Sequence, residues 1–229
     1  MDSMWEARPL GRRRLLRGLA ASVVSLAGCE VRGLRDSVRQ AWGVLIDLSG
    51  TAAADRDYYT REVEDVLREL ARSKPSMVVH VVGFSSFARP LAGGQAQLLG
   101  ERVADVVQAV RQWPLDGRTD IAAAFAVAHD LLRKSEVERR ALWILSDGIQ
   151  DPENRWRTRP AHAVPLPRKI PLTEMVEQQY SVHWDALDEH QLGGWQRAFE
   201  EVRLPAVFHL RGYVEGARAR LRRPGGTAG

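Results

Sequence analysis

Apolar residues in this chain follow two patterns, one typical of buried strands and the other of amphipathic helices. Short, almost continuously apolar runs occupy 41–46, 77–84, 141–145 and 206–210, as expected for strands covered on both faces. Between the runs, apolar residues recur every three or four positions, which predicts helices. The helical patterns comprise Val63, Val66, Leu67 and Leu70, then Leu99, Val103, Val106 and Val110, then Ile121, Phe125, Ala128 and Leu132, and finally Trp195, Phe199 and Val202.

The alternation of strands and helices indicates the fold class. It predicts an α/β domain with a Rossmann-like, open, mostly parallel sheet and helices on both faces. Residues 87–91 are expected to add a short edge strand, because Pro90 is tolerated at an edge but not in the centre of a sheet. The chain has 11 prolines, and their concentration in 151–171 predicts a long insertion there. The domain is expected to span 41–212, followed by a basic, flexible tail at 213–229.

The first 28 residues have the features of an export signal. A basic stretch at 11–17 precedes a weakly apolar stretch at 18–28, which is too short to cross a bilayer as a stop-transfer helix. The sequence Leu26-Ala27-Gly28-Cys29 resembles a bacterial lipobox, whose cysteine is lipidated and becomes the new N-terminus after cleavage. We therefore expect a signal peptide at 1–28 and a lipidated Cys29 with a linker at 29–40. The resemblance implies a protein that is exported and lipid-anchored to the cell envelope.

Two features of this N-terminal region stay open. The arginine run resembles a twin-arginine signal, with Arg12 and Arg13 as the pair, but an arginine-rich general secretory signal has the same composition. The alternative to an export signal is a basic amphipathic helix with a buried structural Cys29, the only cysteine of the chain. A single cysteine also excludes a disulfide framework and a four-cysteine zinc site.

Charge does not point to a nucleic-acid partner. The formal net charge is +4, but it is concentrated in the arginines before position 29 and in the C-terminal tail. A nucleic-acid-binding domain needs a basic face on its folded body, and this distribution does not predict one. We therefore expect no nucleic acid among the partners.

Oxygen-bearing side chains follow the predicted strands at positions where ligands bind in α/β proteins. Asp47, Ser49 and Thr51 come directly after the first strand, Thr119 precedes the third helix, and Asp147 follows the third strand. The carboxyl ends of the strands in an open α/β sheet meet at one crevice, so these side chains are expected to converge. Two carboxylates and three hydroxyls suit a hard dication, Mg²⁺ or Mn²⁺, and not zinc or copper.

The same motifs resemble the metal-ion-dependent adhesion site of a von Willebrand factor type A domain. Asp47-x-Ser49-x-Thr51, Thr119 and Asp147 stand in the family's order, with Thr51 in place of the usual second serine, and the resemblance extends over about 41–210. It implies that Ser49, Thr51 and Thr119 bind the metal directly and that the two aspartates act partly through water. It also implies a non-enzymatic, membrane-anchored module whose protein partner supplies an Asp or Glu carboxylate.

The partner is expected to dock beside the metal, against residues 151–171. Arg155 and Arg157 place positive charge around an acidic ligand, and Trp156 offers an apolar anchor. The seven tryptophans are expected to pack in the core and on the surface. For Trp156 and Trp184, which flank the prolines, contact with a partner is the alternative. Two alternatives remain at this point. One is a metal-free scaffold of the same fold, and the other is a metal-dependent phosphotransfer enzyme of the haloacid-dehalogenase type. The enzyme needs a second carboxylate two residues after Asp47, where this chain has Ser49.

Overall fold

The computed structural model describes residues 39–114, 118–150 and 170–211. Its strands are β1 Gln40–Asp47, β2 Val78–Phe84, β3 Ala88–Gln95, β4 Arg139–Leu145, β5 Tyr180–Leu187 and β6 Ala206–Leu210. Its α-helices are α1 Arg56–Ser73, α2 Ala96–Glu101, α3 Val103–Arg111, α4 Ile121–Leu132, α5 Leu172–Glu177 and α6 Glu189–Val202. A single 3₁₀ turn at Ala53–Asp55 leads into α1.

The six strands form one sheet in the order β3-β2-β1-β4-β5-β6. Every neighbouring pair is parallel except β2 and β3, which are antiparallel. The chain order reverses at β1, so the carboxyl ends of β1 and β4 lie side by side at the switch point where α/β proteins bind ligands. The predicted α/β, mostly parallel class is therefore confirmed.

Helices cover both faces of the sheet because the central strands are apolar on both sides. On one face, α4, α5 and α6 bury Phe125, Met175, Trp195 and their neighbours against alternate strand residues such as Leu45 and Ile144. The helices α1, α2 and α3 pack against one another and contribute buried apolar residues outside that cluster. Alternation along β1 turns Val44 and Ile46, both fully buried, toward that second layer.

The sequence pattern missed β5. Apolar and polar residues alternate over 180–185, with Val182 and Trp184 buried in the core and Ser181, His183 and Asp185 on the opposite side. Such alternation is a strand signal, but a search for continuous apolar runs passes over it. The strand matters for the site, because the backbone carbonyl of Asp185 accepts a hydrogen bond from the N–H of Ser146 at 3.2 Å.

Three other elements differ in detail from the prediction. The run 206–210 forms β6, but β6 is an edge strand without a buried residue and not a strand covered on both faces. The second predicted helix is broken at Arg102 into α2 and α3, and α2 approaches α1 so closely that a Cβ on Gly100 would lie 2.4 Å from the Cβ of Ala71. The edge strand is longer than the predicted 87–91 and runs over Ala88–Gln95. Pro90 is exposed in it, beside a register shift opposite Val81 and Val82, as expected for an edge.

Several predictions concern residues outside the described ranges. The signal at 1–28, Cys29, most of the insertion and the tail at 213–229 belong to this group. Of the predicted insertion, only Ile170 and Pro171 are described, and they lead into α5. Among the described helices, none combines the length and apolar character needed to cross a membrane.

Candidate metal centre

The predicted site residues lie at the carboxyl edge of the sheet, where β1 and β4 end. Asp47 is the last residue of β1, and Ser49 and Thr51 lie in the turn that follows it. Asp147 comes two residues after the end of β4, and Thr119 immediately precedes Asp120, the N-cap of α4. Because β1 and β4 are adjacent and parallel, one stretch of sheet edge carries residues that are far apart in sequence.

Hydrogen bonds fix Asp47 against both neighbouring segments. Its Oδ1 accepts a bond from the Ser49 backbone N–H at 3.0 Å, and its Oδ2 accepts one from the Ser146 hydroxyl at 2.7 Å. The hydroxyl oxygens of Ser49 and Thr51 are 3.0 Å apart and share a hydrogen bond. The structure therefore brings Asp47, Ser49 and Thr51 together and ties them to the segment that carries Asp147.

Two buried tryptophans donate hydrogen bonds to the turn around Asp147. Trp184 Nε1 donates to the Ser146 carbonyl at 2.9 Å, and Trp195 Nε1 donates to the Gly148 carbonyl at 3.0 Å. Gly148 has a φ of +79°, and a Cβ there would lie 2.3 Å from Leu187 Cδ1. Only glycine fits this conformation and this space. The turn thereby aims the Asp147 side chain back toward Asp47.

Thr119 is positioned through its neighbours and not through its own side chain. The Asp120 N–H donates to the Ser85 carbonyl at 2.6 Å, and Gln150 Oε1 accepts from the Ile121 N–H at 2.6 Å. Gln150 Nε2 also donates to Asp120 Oδ1 at 3.2 Å. These bonds attach the start of α4 to β2 and to the segment after Asp147. The Thr119 hydroxyl itself contacts none of the other predicted ligands by a hydrogen bond.

The site has no hydrogen-bond partner for two of its buried oxygens. Thr119 Oγ1 and Asp147 Oδ2 are fully buried and have no partner among the described residues. Buried polar atoms in proteins are nearly always paired, and leaving one unpaired costs about 1–3 kcal/mol. Buried atoms without a partner also occur elsewhere in the described residues, for example the hydroxyl of Tyr180, but here two of them lie in one predicted ligand set.

Both carboxylates are buried, which disfavours their ionised forms. Asp47 is 0% and Asp147 is 1% exposed. Burial, followed by the charge of Asp47, raises the pKa of Asp147 to about 7, although the Ile149 N–H opposes the shift by donating to Oδ1 at 3.0 Å. Burial also raises the pKa of Asp47, against the hydrogen bonds from Ser49 and Ser146. A cation at this edge would relieve both effects.

Three further residues contribute to the electrostatics behind the carboxylates. Arg211 Nη2 pairs with Asp55 Oδ2 at 2.7 Å, and the charge of Arg211 acts against the rise in the pKa of Asp147. The hydroxyl of Tyr59 is buried, and burial together with the charges of Asp147, Asp47 and Asp55 raises its pKa, so the phenol stays protonated. The position of Arg211 after β6 gave no sequence signal for this role.

The donor set fits a hard dication. Within the described residues there is no group of three or more His, Cys, Asp or Glu side chains that could hold a metal. The predicted ligands instead combine two carboxylates with three hydroxyls, the oxygen donors that Mg²⁺ and Mn²⁺ prefer. Thr119 Oγ1 and Asp147 Oδ2, which have no hydrogen-bond partner among the described residues, are available to bind such a cation.

Sequence reasoning missed two residues that position the predicted ligands. These are Ser146 and Gln150, and a serine or glutamine at a strand exit carries no specific signal. Trp184 is 0% exposed and lies in β5, where it donates to the Ser146 carbonyl, so the packing interpretation is confirmed and the alternative of a partner contact is wrong. The predicted partner contacts Arg155, Trp156 and Arg157 lie outside the described residues.

Comparison with known proteins identifies the fold. No protein-family model matches the chain, and no curated protein matches it. A von Willebrand factor type A protein from Catenulispora acidiphila matches 80% of the chain with a TM-score of 0.52 at 14% identity. The chain has the von Willebrand factor type A fold.

Other solved structures with this architecture come from bacterial surface proteins. A mutant of the PilB minor pilin from Streptococcus sanguinis matches 82% of the chain with a TM-score of 0.60 at 10% identity. The pilus adhesin SpaC from Lactobacillus rhamnosus GG, in an open conformation, also matches 82%, with a TM-score of 0.59 at 13% identity. The chain spans 62% of the pilin, 29% of the adhesin and 42% of the Catenulispora protein. At these identities the likeness concerns the fold alone.

Proposed function

We propose that this chain is a non-enzymatic binding module that holds a protein partner through a Mg²⁺ ion, with Mn²⁺ as a substitute. Asp47, Ser49, Thr51, Thr119 and Asp147 are the residues that would hold the ion. The ion supplies a Lewis-acidic position that a carboxylate of the partner can fill. The observation that carries the proposal is the pair of buried oxygens, Asp147 Oδ2 and Thr119 Oγ1, that lack hydrogen-bond partners among the described residues.

Charge supports the same conclusion. Ionised Asp47 and Asp147 bring two negative charges into a buried setting, and the rise in the pKa of Asp147 to about 7 measures how unfavourable that is without a cation. A dication would neutralise these two charges. Neutral hydroxyls would supply the remaining donors and add no negative charge, so the ion would keep a Lewis-acidic position for an acidic group from a partner.

We further propose that the module works at the bacterial cell envelope, anchored by lipid on Cys29. The support is the lipobox-like sequence at 26–29 after a basic and a short apolar stretch. Cell fractionation of a Cys29→Ala variant tests this part. The variant should leave the membrane fraction and keep its unprocessed mass, whereas wild-type-like membrane attachment of the variant contradicts lipid anchoring.

The partner is proposed to contact Arg155, Trp156 and Arg157 as well as the ion. These residues follow Asp147 closely in sequence and combine positive charge with an aromatic surface, which suits an acidic ligand. A deletion of residues 153–168 tests the contribution of this segment separately from the metal.

Partner capture with and without chelator tests the function itself. The full-length tagged protein is used to capture partners from solubilised native membranes in Mg²⁺ or in EDTA. Wild-type capture should depend on Mg²⁺, and Thr119→Ala should reduce it. Asp130→Asn, on an exposed part of α4, is a matched control that should capture normally. Capture that EDTA leaves unchanged would contradict the metal-bridged mechanism.

A further inference from the structure

A second charged feature lies near the candidate metal centre, on the turn between β2 and β3 and the strand that follows. The guanidinium of Arg89 lies over the ring of Trp113, with Cζ 4.7 Å from the ring centroid, and 6.0 Å from the centroid of Phe87. The two aromatic rings are themselves stacked, with centroids 5.0 Å apart and planes 21° apart. We name Phe87, Arg89 and Trp113 the aromatic–arginine platform.

Within the platform, Trp113 is buried and held by hydrogen bonds, whereas Phe87 is exposed. Trp113 is 2% exposed, and its Nε1 donates to Ser85 Oγ at 3.2 Å while its carbonyl accepts from Arg56 Nη1 at 3.1 Å. Its ring also packs against Gly83, where a Cβ would lie 2.9 Å from Trp113 Cζ3. Phe87, by contrast, is 42% exposed. Aromatic side chains and arginines are the residue types enriched at protein interfaces, and the platform combines both.

Arg89 has unused hydrogen-bonding capacity. It is exposed, and its guanidinium makes no hydrogen bond or ion pair with any residue in the described ranges. Contact with aromatic rings restricts the orientation of the planar group while leaving its N–H donors available. A pre-oriented arginine fork matches a carboxylate through two parallel hydrogen bonds.

Ser85 connects the platform to the metal centre. The Ser85 carbonyl accepts from the N–H of Asp120, the residue after Thr119, at 2.6 Å. The Ser85 N–H donates to the Phe87 carbonyl at 2.8 Å, and the Ser85 hydroxyl accepts from Trp113. The segment that carries Thr119 and the platform are therefore both attached to one buried residue, directly after the carboxyl end of β2.

We propose that the aromatic–arginine platform is a second recognition site for the same partner. It takes a second carboxylate of an acidic segment, which Arg89 binds while an apolar group of that segment covers Phe87. This inference rests on the proposed function and names the partner's chemistry. The segment carries two acidic residues a few positions apart, one for the ion and one for Arg89.

Defined peptides test the inference with the full-length protein in detergent. The probes are fluorescein-labelled Gly/Ser peptides with terminal charges blocked, which carry either one Glu or two Glu separated by one to four residues. Fluorescence anisotropy gives their dissociation constants at saturating Mg²⁺. At one separation the peptide with two Glu should bind wild type at least tenfold more tightly than the peptide with one Glu.

Variants separate the platform from general charge effects. Arg89→Gln should abolish the gain from the second Glu while leaving binding of the single-Glu peptide and of Mg²⁺ unchanged. Arg89→Lys keeps the charge but not the fork, and should lose most of the gain. Phe87→Ser should weaken binding of a peptide with Leu beside the second Glu. Arg133→Gln, an exposed arginine at the far end of α4, is the control and should behave as wild type.

The outcomes distinguish this inference from the proposed function. Binding that requires Mg²⁺ but gains nothing from a second Glu, or gains equally in Arg89→Gln, overturns the platform and leaves the metal mechanism standing. Binding that depends on Arg89 but not on Mg²⁺ supports the platform as an acidic-segment site and contradicts the metal mechanism. Absence of any peptide binding by wild type, at concentrations up to millimolar, contradicts both.

Discussion

Replacing Asp147 with asparagine should stabilise the metal-free protein, although most substitutions of buried residues destabilise. At pH 8 and without metal, wild type must keep Asp147 ionised beside Asp47. A carboxyl whose pKa is about 7 in the folded protein and 3.8 in its reference state loses about 4 kcal/mol of folding free energy when both states are ionised. The asparagine side chain is neutral and nearly isosteric, so this loss disappears in Asp147→Asn.

An unpaired amide group in Asp147→Asn reduces this gain in folding stability. Oδ1 of the new amide can still accept from the Ile149 N–H, but the amide NH₂ would occupy the position of Oδ2, which has no partner among the described residues. An unpaired buried amide group costs about 1–3 kcal/mol. The net expectation is a metal-free variant that is about 1–3 kcal/mol more stable than wild type, or roughly 2–12 °C higher in melting temperature for a domain of this size.

The stability of the metal-free wild-type protein should decrease as the pH rises. Because the folded pKa of Asp147 is raised, the folded state holds more protons than the unfolded state between about pH 4 and 7, and metal-free wild type loses stability as pH rises through that window. At pH 5 the folded carboxyl is neutral but the unfolded one is mostly ionised, so about 2 kcal/mol of the loss is already present. The cost of the unpaired amide offsets that amount, so the advantage of Asp147→Asn should fall to about zero.

Thermal melting of wild type and Asp147→Asn in EDTA and in Mg²⁺, at pH 5 and pH 8, measures the stability difference and its dependence on pH and metal. In EDTA at pH 8 the variant should melt higher, and in saturating Mg²⁺ the order should reverse because only wild type gains from the ion. A variant that is equally destabilised in EDTA at both pH values would refute the electrostatic reasoning. A variant that gains as much from Mg²⁺ as wild type does would refute the assignment of Asp147 as a ligand.

The other predictions concern a ligand, a turn and a distant ion pair. Thr119→Val should leave the metal-free melting temperature within about 3 °C of wild type, because Oγ1 has no partner to lose among the described residues, but should weaken Mg²⁺ binding in calorimetry at least tenfold. Gly148→Ala should destabilise by about 2 kcal/mol or more in chemical denaturation, because φ is +79° and the new Cβ would overlap the Leu187 side chain; equal stability would contradict the described turn. The hydrogen bond to Asp185 raises the pKa of His209, so stability from this pair is present below pH 6.5 and is lost as pH rises through the raised pKa. His209→Gln should therefore cost more stability at pH 5.5 than at pH 9, and a pH-independent cost would contradict the pairing.

Sequence patterns predicted the parts of the fold that depend on continuous burial. The central strands β1, β2 and β4 are covered on both faces, so their apolar runs stand out in the sequence. β5 was missed because Ser181, His183 and Asp185 place polar groups on one of its faces. The break at Arg102 was missed because the apolar spacing of Leu99, Val103 and Val106 continues through it.

The candidate ligands were predictable because their positions depend on strand ends, which are local features. Asp47, Ser49 and Thr51 lie on one turn, and the topological switch brings Asp147 beside them. The groups that position these ligands depend on tertiary contacts instead. Ser146 reaches Asp47 across 99 positions of sequence, and Trp195 reaches Gly148 across 47. No spacing rule within one sequence predicts such pairs.

Calorimetric titration of the metal-stripped full-length protein with Mg²⁺ tests the central claim most directly. The proposed site predicts one ion per chain at pH 8, no detectable binding in Asp47→Ala, and unchanged binding in the control Asp105→Asn, which alters an exposed carboxylate on α3. Absence of binding by folded wild type, or binding that Asp47→Ala leaves intact, would contradict a metal-bridging function for this edge of the sheet.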